Sequence, residues 1–147
     1  MKIAKTLGLV ALFAIVSIAF SSCGGGSGYS AKDAEEMIKK SEEGKLEAAD
    51  STKCIDWVEA YTNESLNKLE SAINDSKTDE DFYKKQEEAD KALNEKYPKM
   101  DEIQKILFTA TEEEMGKENS DRYQKVMSES IEKVAKIMDK AAEKDAK

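Results

Sequence analysis

Cysteine thiols are the most reactive groups that this chain could use, because its 147 residues include two cysteines and no histidine. Histidine is the commonest general base and the commonest metal ligand, so its absence removes both roles together. Cys54 lies one helical turn before Val58, on or beside an apolar stripe. Without a histidine to activate the thiol, Cys54 is explained better as a small buried hydrophobe than as a nucleophile, and an intermolecular disulfide is a third alternative. We therefore expect no catalytic residue.

Acidic residues are abundant, and two clusters raise the question of a metal site. Asp75 and the acids at positions 79–81 lie near a turn, and carboxylate oxygens are ligands for calcium. Their spacing lacks the alternating acids and central glycine of a calcium loop. The three glutamates at 112–114 diverge by about 100° per residue on a helix and cannot converge on one ion. The pattern therefore predicts no metal site and no cofactor.

The other cysteine follows an N-terminus that is first basic and then apolar. Lys2 and Lys5 precede an apolar run over residues 7–20, which ends in Ser21-Ser22-Cys23 and a glycine-rich stretch. Crossing a membrane takes about 20 helical residues, so this run is short for a spanning helix. A basic segment, then an apolar segment, then small residues is the order found in a secretory signal peptide.

The segment Ser21-Ser22-Cys23 resembles the lipobox of bacterial lipoproteins, in the version common in Bacteroidota-type bacteria. Phe20 stands where the lipobox usually has leucine, although it is also a large apolar residue. The resemblance covers residues 1–23. The alternatives are a plain secretory signal and a buried helix with an incidental cysteine.

The resemblance implies cleavage before Cys23, a diacylglycerol group on its thiol and acylation of the new amine. Residues 1–22 would then be a signal peptide, residues 23–29 the lipidated cysteine with a flexible tether, and residues 30–147 a single domain. Two or more acyl chains hold a protein stably on a membrane. The implied location is the cell envelope, with the outer membrane as the expected site of anchoring. The lack of an acidic run after Cys23 favours a domain that faces the periplasm.

The charge balance bears on partners. The chain carries 31 acidic and 23 basic residues, a net charge of −8, and Arg122 is its single arginine. Nucleic acid is bound mainly through lysine and arginine contacts to phosphate, so nucleic-acid binding is not expected. Anionic lipid would also repel the domain, so attachment should depend on the acyl chains. A basic protein or peptide is the partner that charge favours.

Helices must position these residues, because the chain beyond the tether is rich in Lys, Glu and Ala and contains one proline, Pro98. Ser30 and Thr78 are predicted N-caps, and so is either Ser51 or Thr52. The sequence predicts an all-α fold, an antiparallel bundle of four to five amphipathic helices. Pro98 either kinks one long helix or begins a new one.

The last predicted helix carries a second hypothesis about assembly. Its apolar positions recur nearly every 3.5 residues, a period that also suits a coiled-coil seam. Packing within the chain is favoured, and a homo-oligomer through the C-terminal helix is the alternative. The stripe consists of Tyr123, Met127, Ser130/Ile131, Val134, Met138 and Ala141.

Two groups of apolar residues are candidate binding sites. Trp57 and Tyr61 are four residues apart and share a helix face that is offset from the main stripe. At the edge of the core they could anchor a partner, since both residue types are favoured in interfaces; otherwise they cover the core margin. Ile103, Leu107 and Phe108 lie on a wide apolar face that is either core or the lining of a groove for an apolar ligand.

The sequence therefore favours a lipid-anchored envelope protein that binds or scaffolds another envelope component without catalysis. One alternative is a carrier that holds an apolar ligand between helices. Another is an acidic protein of the immunity or inhibitor type that neutralises a basic effector.

Overall fold

A computed structural model describes residues 28–145 of the chain, with side chains up to residue 143. Within this range the chain is all-helical, which confirms the predicted class. The signal peptide and lipobox, with Cys23, lie outside the described residues. The six helices found here are α1 (Ala31–Glu42), α2 (Ala48–Asp75), α3 (Asp79–Lys96), α4 (Met100–Thr109), α5 (Glu112–Met115) and α6 (Lys117–Asp145).

Local capping explains where three of these helices begin. The Ser30 side chain accepts a hydrogen bond from the Asp33 N–H at 3.1 Å, and Thr78 does the same for Asp81, so both predicted caps are confirmed. The start of α2 differs from the prediction. A capping box between Glu47 and Asp50 begins this helix at Ala48, before the expected serine or threonine.

The segment around Pro98 separates two helices. The helix α3 ends at Lys96, and Lys99 takes a left-handed conformation with φ of 65° immediately before α4 begins at Met100. A proline has no N–H to continue the helical ladder, and a left-handed residue ends it. A separate helix thus follows Pro98, but Pro98 lies in the turn before it and does not begin it, so the second alternative is confirmed only in part.

The helix α2 is the element on which α3, α4 and α6 pack, whereas α1 packs mainly on α4. The contacts of α2 with α3 run in opposite chain order. Near the end of α2, Lys85 donates to the backbone carbonyl of Asp75 at 2.7 Å. Further back along α2, Lys96 pairs with Glu64 at 2.5 Å. The two helices are therefore antiparallel.

Contacts between α2 and α6 run in the same chain order. Arg122 Nη2 lies 2.6 Å from Glu59 Oε2, and Lys140 Nζ lies 2.7 Å from Glu70 Oε1. These two helices are therefore parallel. The helices α3 and α6 each pack on α2 more extensively than on one another.

The core consists of two apolar clusters, separated by buried hydroxyls. Thr62 and Ser130 are almost fully buried, and each donates to a carbonyl of its own helix, at 2.8 and 2.7 Å. The upper cluster contains residues from all six helices: Ala34, Met37, Cys54, Ile55, Trp57, Val58, Leu93, Tyr97, Met100, Ile103, Leu107, Met115 and Val126. The lower cluster contains residues from α2, α3 and α6 only: Leu66, Ala72, Ile73, Phe82, Val134, Ile137 and Ala141.

The buried stripe of α6 is displaced from the predicted one. Ser130, Val134 and Ala141 are buried as expected, but Val126 and Ile137 complete the stripe, and Ile131 is 51% exposed. The buried side of α6 packs on its own chain through both clusters. Packing within the chain thus accounts for most of the apolar face of this helix.

Candidate functional site

A group of aromatic rings joins the end of the predicted tether to the core. The ring of Tyr29 meets that of Trp57 edge to face at 5.2 Å between centroids and that of Tyr97 at 5.3 Å. Its hydroxyl donates a hydrogen bond to the carbonyl of Pro98. Burial, and then the charge of Asp101, raises the pKa of Tyr29 to about 12, so this hydroxyl remains a donor at physiological pH. The residue that follows the glycines is therefore part of the packed domain.

Trp57 lies inside the domain, which corrects its expected place at the edge of the core. Its side chain is 0% exposed, because Tyr29 packs against one side of it and the Lys53 ammonium lies 5.1 Å from its ring centroid. The indole N–H has no hydrogen-bond partner among the described residues. Tyr61 is half-buried and packs edge to face on Tyr97 at 5.6 Å. The pair does not form an exposed anchor for a partner.

The three residues proposed to line an apolar ligand site do not converge. Ile103 and Leu107 are 0% and 1% exposed and belong to the upper cluster, whereas Phe108 is 77% exposed. A pocket would require all three side chains to face one space. Ile103 and Leu107 are therefore core, as the first alternative for this face predicts, and Phe108 does not share their surroundings.

Cys54 occupies the upper cluster and has no disulfide partner among the described residues. Burial, with a smaller contribution from Asp50, raises the pKa of the thiol to about 12. The thiolate is the nucleophile, so the thiol is unreactive at physiological pH. This placement fits the interpretation as a small buried hydrophobe.

We expect Cys54 to resist thiol reagents in the folded protein. Between pH 7 and pH 10 the thiol stays protonated, because its pKa lies above that range. The measurement is Ellman's titration of a Cys23→Ala chain, in which Cys54 is the only cysteine. No colour should form in native buffer at pH 8 over minutes, and one equivalent should form at once in 6 M guanidinium. Rapid reaction without denaturant would contradict the burial.

The acidic clusters have structural partners. Asp81 accepts from the Lys77 N–H at 3.2 Å and from Lys85 at 3.0 Å, and the hydrogen bond from Lys85 is the main cause of its lowered pKa. Glu114 accepts from the Thr111 N–H at 2.7 Å, which lowers its pKa and closes a capping box. Over the part of the chain that the structure describes, no three acidic or thiol side chains are placed to hold a metal ion.

Two shallow grooves flank α2. One, of about 460 Å³, lies between α2 and α3 and is lined by both acids and lysines, among them Glu64, Asp75, Lys68 and Lys85. The other, of about 400 Å³, lies where the N-termini of α2 and α6 meet. Arg122 lines this second groove, but its guanidinium is engaged by Asp56 at 2.7 Å and by Glu59. No described helix combines the length and apolarity needed to cross a membrane.

Three large apolar side chains remain exposed on the described surface. They are Tyr83 at 46%, Phe108 at 77% and Ile131 at 51%. Sequence reasoning overlooked Tyr83, since its neighbour Phe82 fits the stripe of α3 and Tyr83 does not. The sequence signal for Tyr83 is a large aromatic residue immediately outside an apolar stripe.

No family model, curated protein or solved structure matches the chain. Its function is therefore inferred from its own residues.

Proposed function

We propose that the chain is a lipoprotein of the bacterial cell envelope, anchored through acyl chains on Cys23, whose helical domain binds another envelope component without catalysis. The observation that carries this proposal is the sequence from Ser21 to Gly28: small residues, a cysteine and a glycine-rich spacer after a short apolar run. Acylation of that cysteine would hold the domain at a membrane surface.

The contacts of Tyr29 support a role for the preceding glycines as a tether. Tyr29 packs on Trp57 and Tyr97 and bonds to Pro98, so the packed domain begins one residue after Gly28. Six residues from Cys23 to Gly28 span about 13 Å on average if they behave as a flexible linker. Such a tether would place the domain just beyond the lipid headgroups, on the periplasmic side of the outer membrane.

The arrangement of the helices that we propose is an antiparallel bundle, in which α3 with α4 returns along α2 and α6 then runs back beside it. The opposed order of contacts between α2 and α3, and the shared order between α2 and α6, support it. A rigid bundle with a well-packed upper half suits binding, because its surface groups are held in fixed positions.

The test of this proposal is the chemical state of residue 23. The protein is expressed in a bacterium that processes lipoproteins, extracted from the envelope and measured as an intact mass. We expect loss of residues 1–22 and an added mass that fits a diacylglycerol and an acyl group such as palmitate. Cys23→Ala should release the protein from the membrane fraction, whereas the matched variant Cys54→Ala should stay with it. An unmodified cysteine, or a leader that is still attached, would refute the anchor.

A further inference from the structure

One side of the lower half of the domain is left uncovered. The upper cluster draws on all six described helices, but the lower cluster draws on α2, α3 and α6 alone. In the upper half, α4 packs over α2 through Ile103 and Leu107. No described helix contributes in the same way to the lower cluster, where Leu69 and Met138 are only partly buried.

The exposed residues of α3 border this uncovered side. Lys85 and Lys96 lie on the flank of α3 that contacts Asp75 and Glu64 of α2. Tyr83 and Asp90 are seven residues apart and therefore share another flank. Tyr97, seven residues further on, continues that flank and packs on Tyr61. The flank of α3 that carries Tyr83 and Asp90 is therefore turned away from Asp75 and Glu64 of α2.

The helix α6 presents the matching flank. Arg122 and Lys140 lie on one side of α6 and pair with α2. Ile131 and Met138 are seven residues apart, on a flank about 180° from that pair by helical periodicity. The open face is thus defined by Leu69 on α2, Tyr83 and Asp90 on α3, and Ile131 and Met138 on α6.

Charge along this face is negative and unpaired. Asp90 is exposed and forms no ion pair or hydrogen bond with the described residues. Asp79, eleven residues earlier on the same flank, has a buried carboxylate oxygen without a hydrogen-bond partner in the described structure. Positions 79, 83, 86 and 90 include no lysine or arginine. This flank of α3 therefore presents carboxylates, without basic neighbours, to positively charged groups of a partner.

We propose that the open face is a docking groove for an amphipathic helix of a partner protein, with apolar residues toward Tyr83 and Ile131 and lysine or arginine toward Asp79 and Asp90. Helix-in-groove recognition uses an apolar stripe for contact and flanking charges for specificity. The eleven-residue rise from Asp79 to Asp90 is about 17 Å, which is the length of about three helical turns. A second copy is a poorer occupant, because the chain carries a net charge of −8 and would bring like charges together.

This inference rests on the proposed binding function but is independent of the lipid anchor. The test uses the full chain in nanodiscs of uncharged phosphatidylcholine, with empty nanodiscs as the blank. The probe is a fluorescent 18-residue peptide of leucine and lysine in an amphipathic helical pattern. The control peptide carries glutamate in place of lysine. Anisotropy should give a Kd in the micromolar range for the lysine peptide, at least about tenfold below that of the glutamate peptide.

Pairs of matched variants test where on the domain the lysine peptide binds. Asp79→Asn with Asp90→Asn should weaken binding about tenfold. Glu88→Gln with Glu95→Gln removes the same charge from exposed positions on another side of α3 and should leave binding unchanged. Ile131→Lys should abolish binding, whereas Phe108→Lys, on α4, should not.

Three outcomes would overturn the proposal. Both peptides could bind equally well, which would mean apolar adhesion without recognition of charge. Ile131→Lys could leave binding intact, which would place the peptide elsewhere. The chain could also sediment as a dimer that Ile131→Lys converts to a monomer, which would make a second copy the occupant. Failure of peptide binding with an acylated Cys23 would leave the anchor standing, and the converse result would leave the groove standing.

Discussion

Replacement of Trp57 by alanine should lower the free energy of unfolding by about 4 kcal/mol. The indole is 0% exposed and is packed between Tyr29 and the rest of the upper cluster, so its removal leaves a large cavity. Truncation of a buried tryptophan costs about 3–5 kcal/mol. A domain with a total stability of roughly 5–15 kcal/mol would lose a large part of it.

The measurement is urea unfolding followed by far-UV circular dichroism, since Trp57 is the only tryptophan and its fluorescence is lost with it. Phe108→Ala is the control, because it removes an aromatic ring that is 77% exposed. It should change stability by less than about 0.5 kcal/mol. Equal effects of the two variants would mean that Trp57 is not buried.

Trp57→Phe separates packing from hydrogen bonding at the same position. Phenylalanine keeps most of the aromatic contact with Tyr29 and removes an indole N–H that has no partner among the described residues. A buried donor without a partner costs about 1–3 kcal/mol, which offsets part of the lost volume. We therefore expect Trp57→Phe to cost under about 2 kcal/mol.

Much of the helical structure follows from local sequence. Ser30 and Thr78 cap helices where the sequence predicts caps, because the capping hydrogen bond joins residues three apart. The break at Pro98 is equally local, since the missing N–H ends a helix whatever surrounds it. The all-helical class follows from such signals.

The side of a helix that is buried depends on distant residues. Trp57 lies beside its helical stripe, and it is buried because Tyr29, 28 residues away and outside the regular helices, packs on it. Tyr29 is in turn packed on Tyr97. The pattern of α2 contains no trace of these contacts. The helical pattern alone therefore predicts an edge position for Trp57.

For a related reason, the sequence does not decide which residues of a wide apolar face are buried. On α6, Ile131 and Val134 both fit an apolar period, and only contact with α2 decides that Val134 is buried and Ile131 exposed. On α4, Leu107 and Phe108 are adjacent, and packing again separates them. The open face could not be predicted, because it depends on which helices cover the lower cluster.

Phe82 and Tyr83 offer a direct test of that lower half. Phe82 is 0% exposed and belongs to the lower cluster with Ile73 and Val134, whereas Tyr83 is 46% exposed. Phe82→Ala should therefore lower the free energy of unfolding by about 3–4 kcal/mol, as expected for a buried phenylalanine. Tyr83→Ala, at the next position of the same helix, should change it by less than about 0.5 kcal/mol.

The position of the damage is a stricter test than its size. The lower cluster is built from three helices, so loss of Phe82 should loosen the end of α6 around Val134 and Ala141 before it affects the upper cluster. Native-state amide exchange should show faster exchange at residues 130–141 and unchanged exchange at residues 31–42. Uniform loss of protection would mean that the two clusters unfold as one unit. Tyr83→Ala should leave amide exchange unaltered but weaken binding of the lysine peptide. A residue that only borders the groove contributes to binding and not to folding.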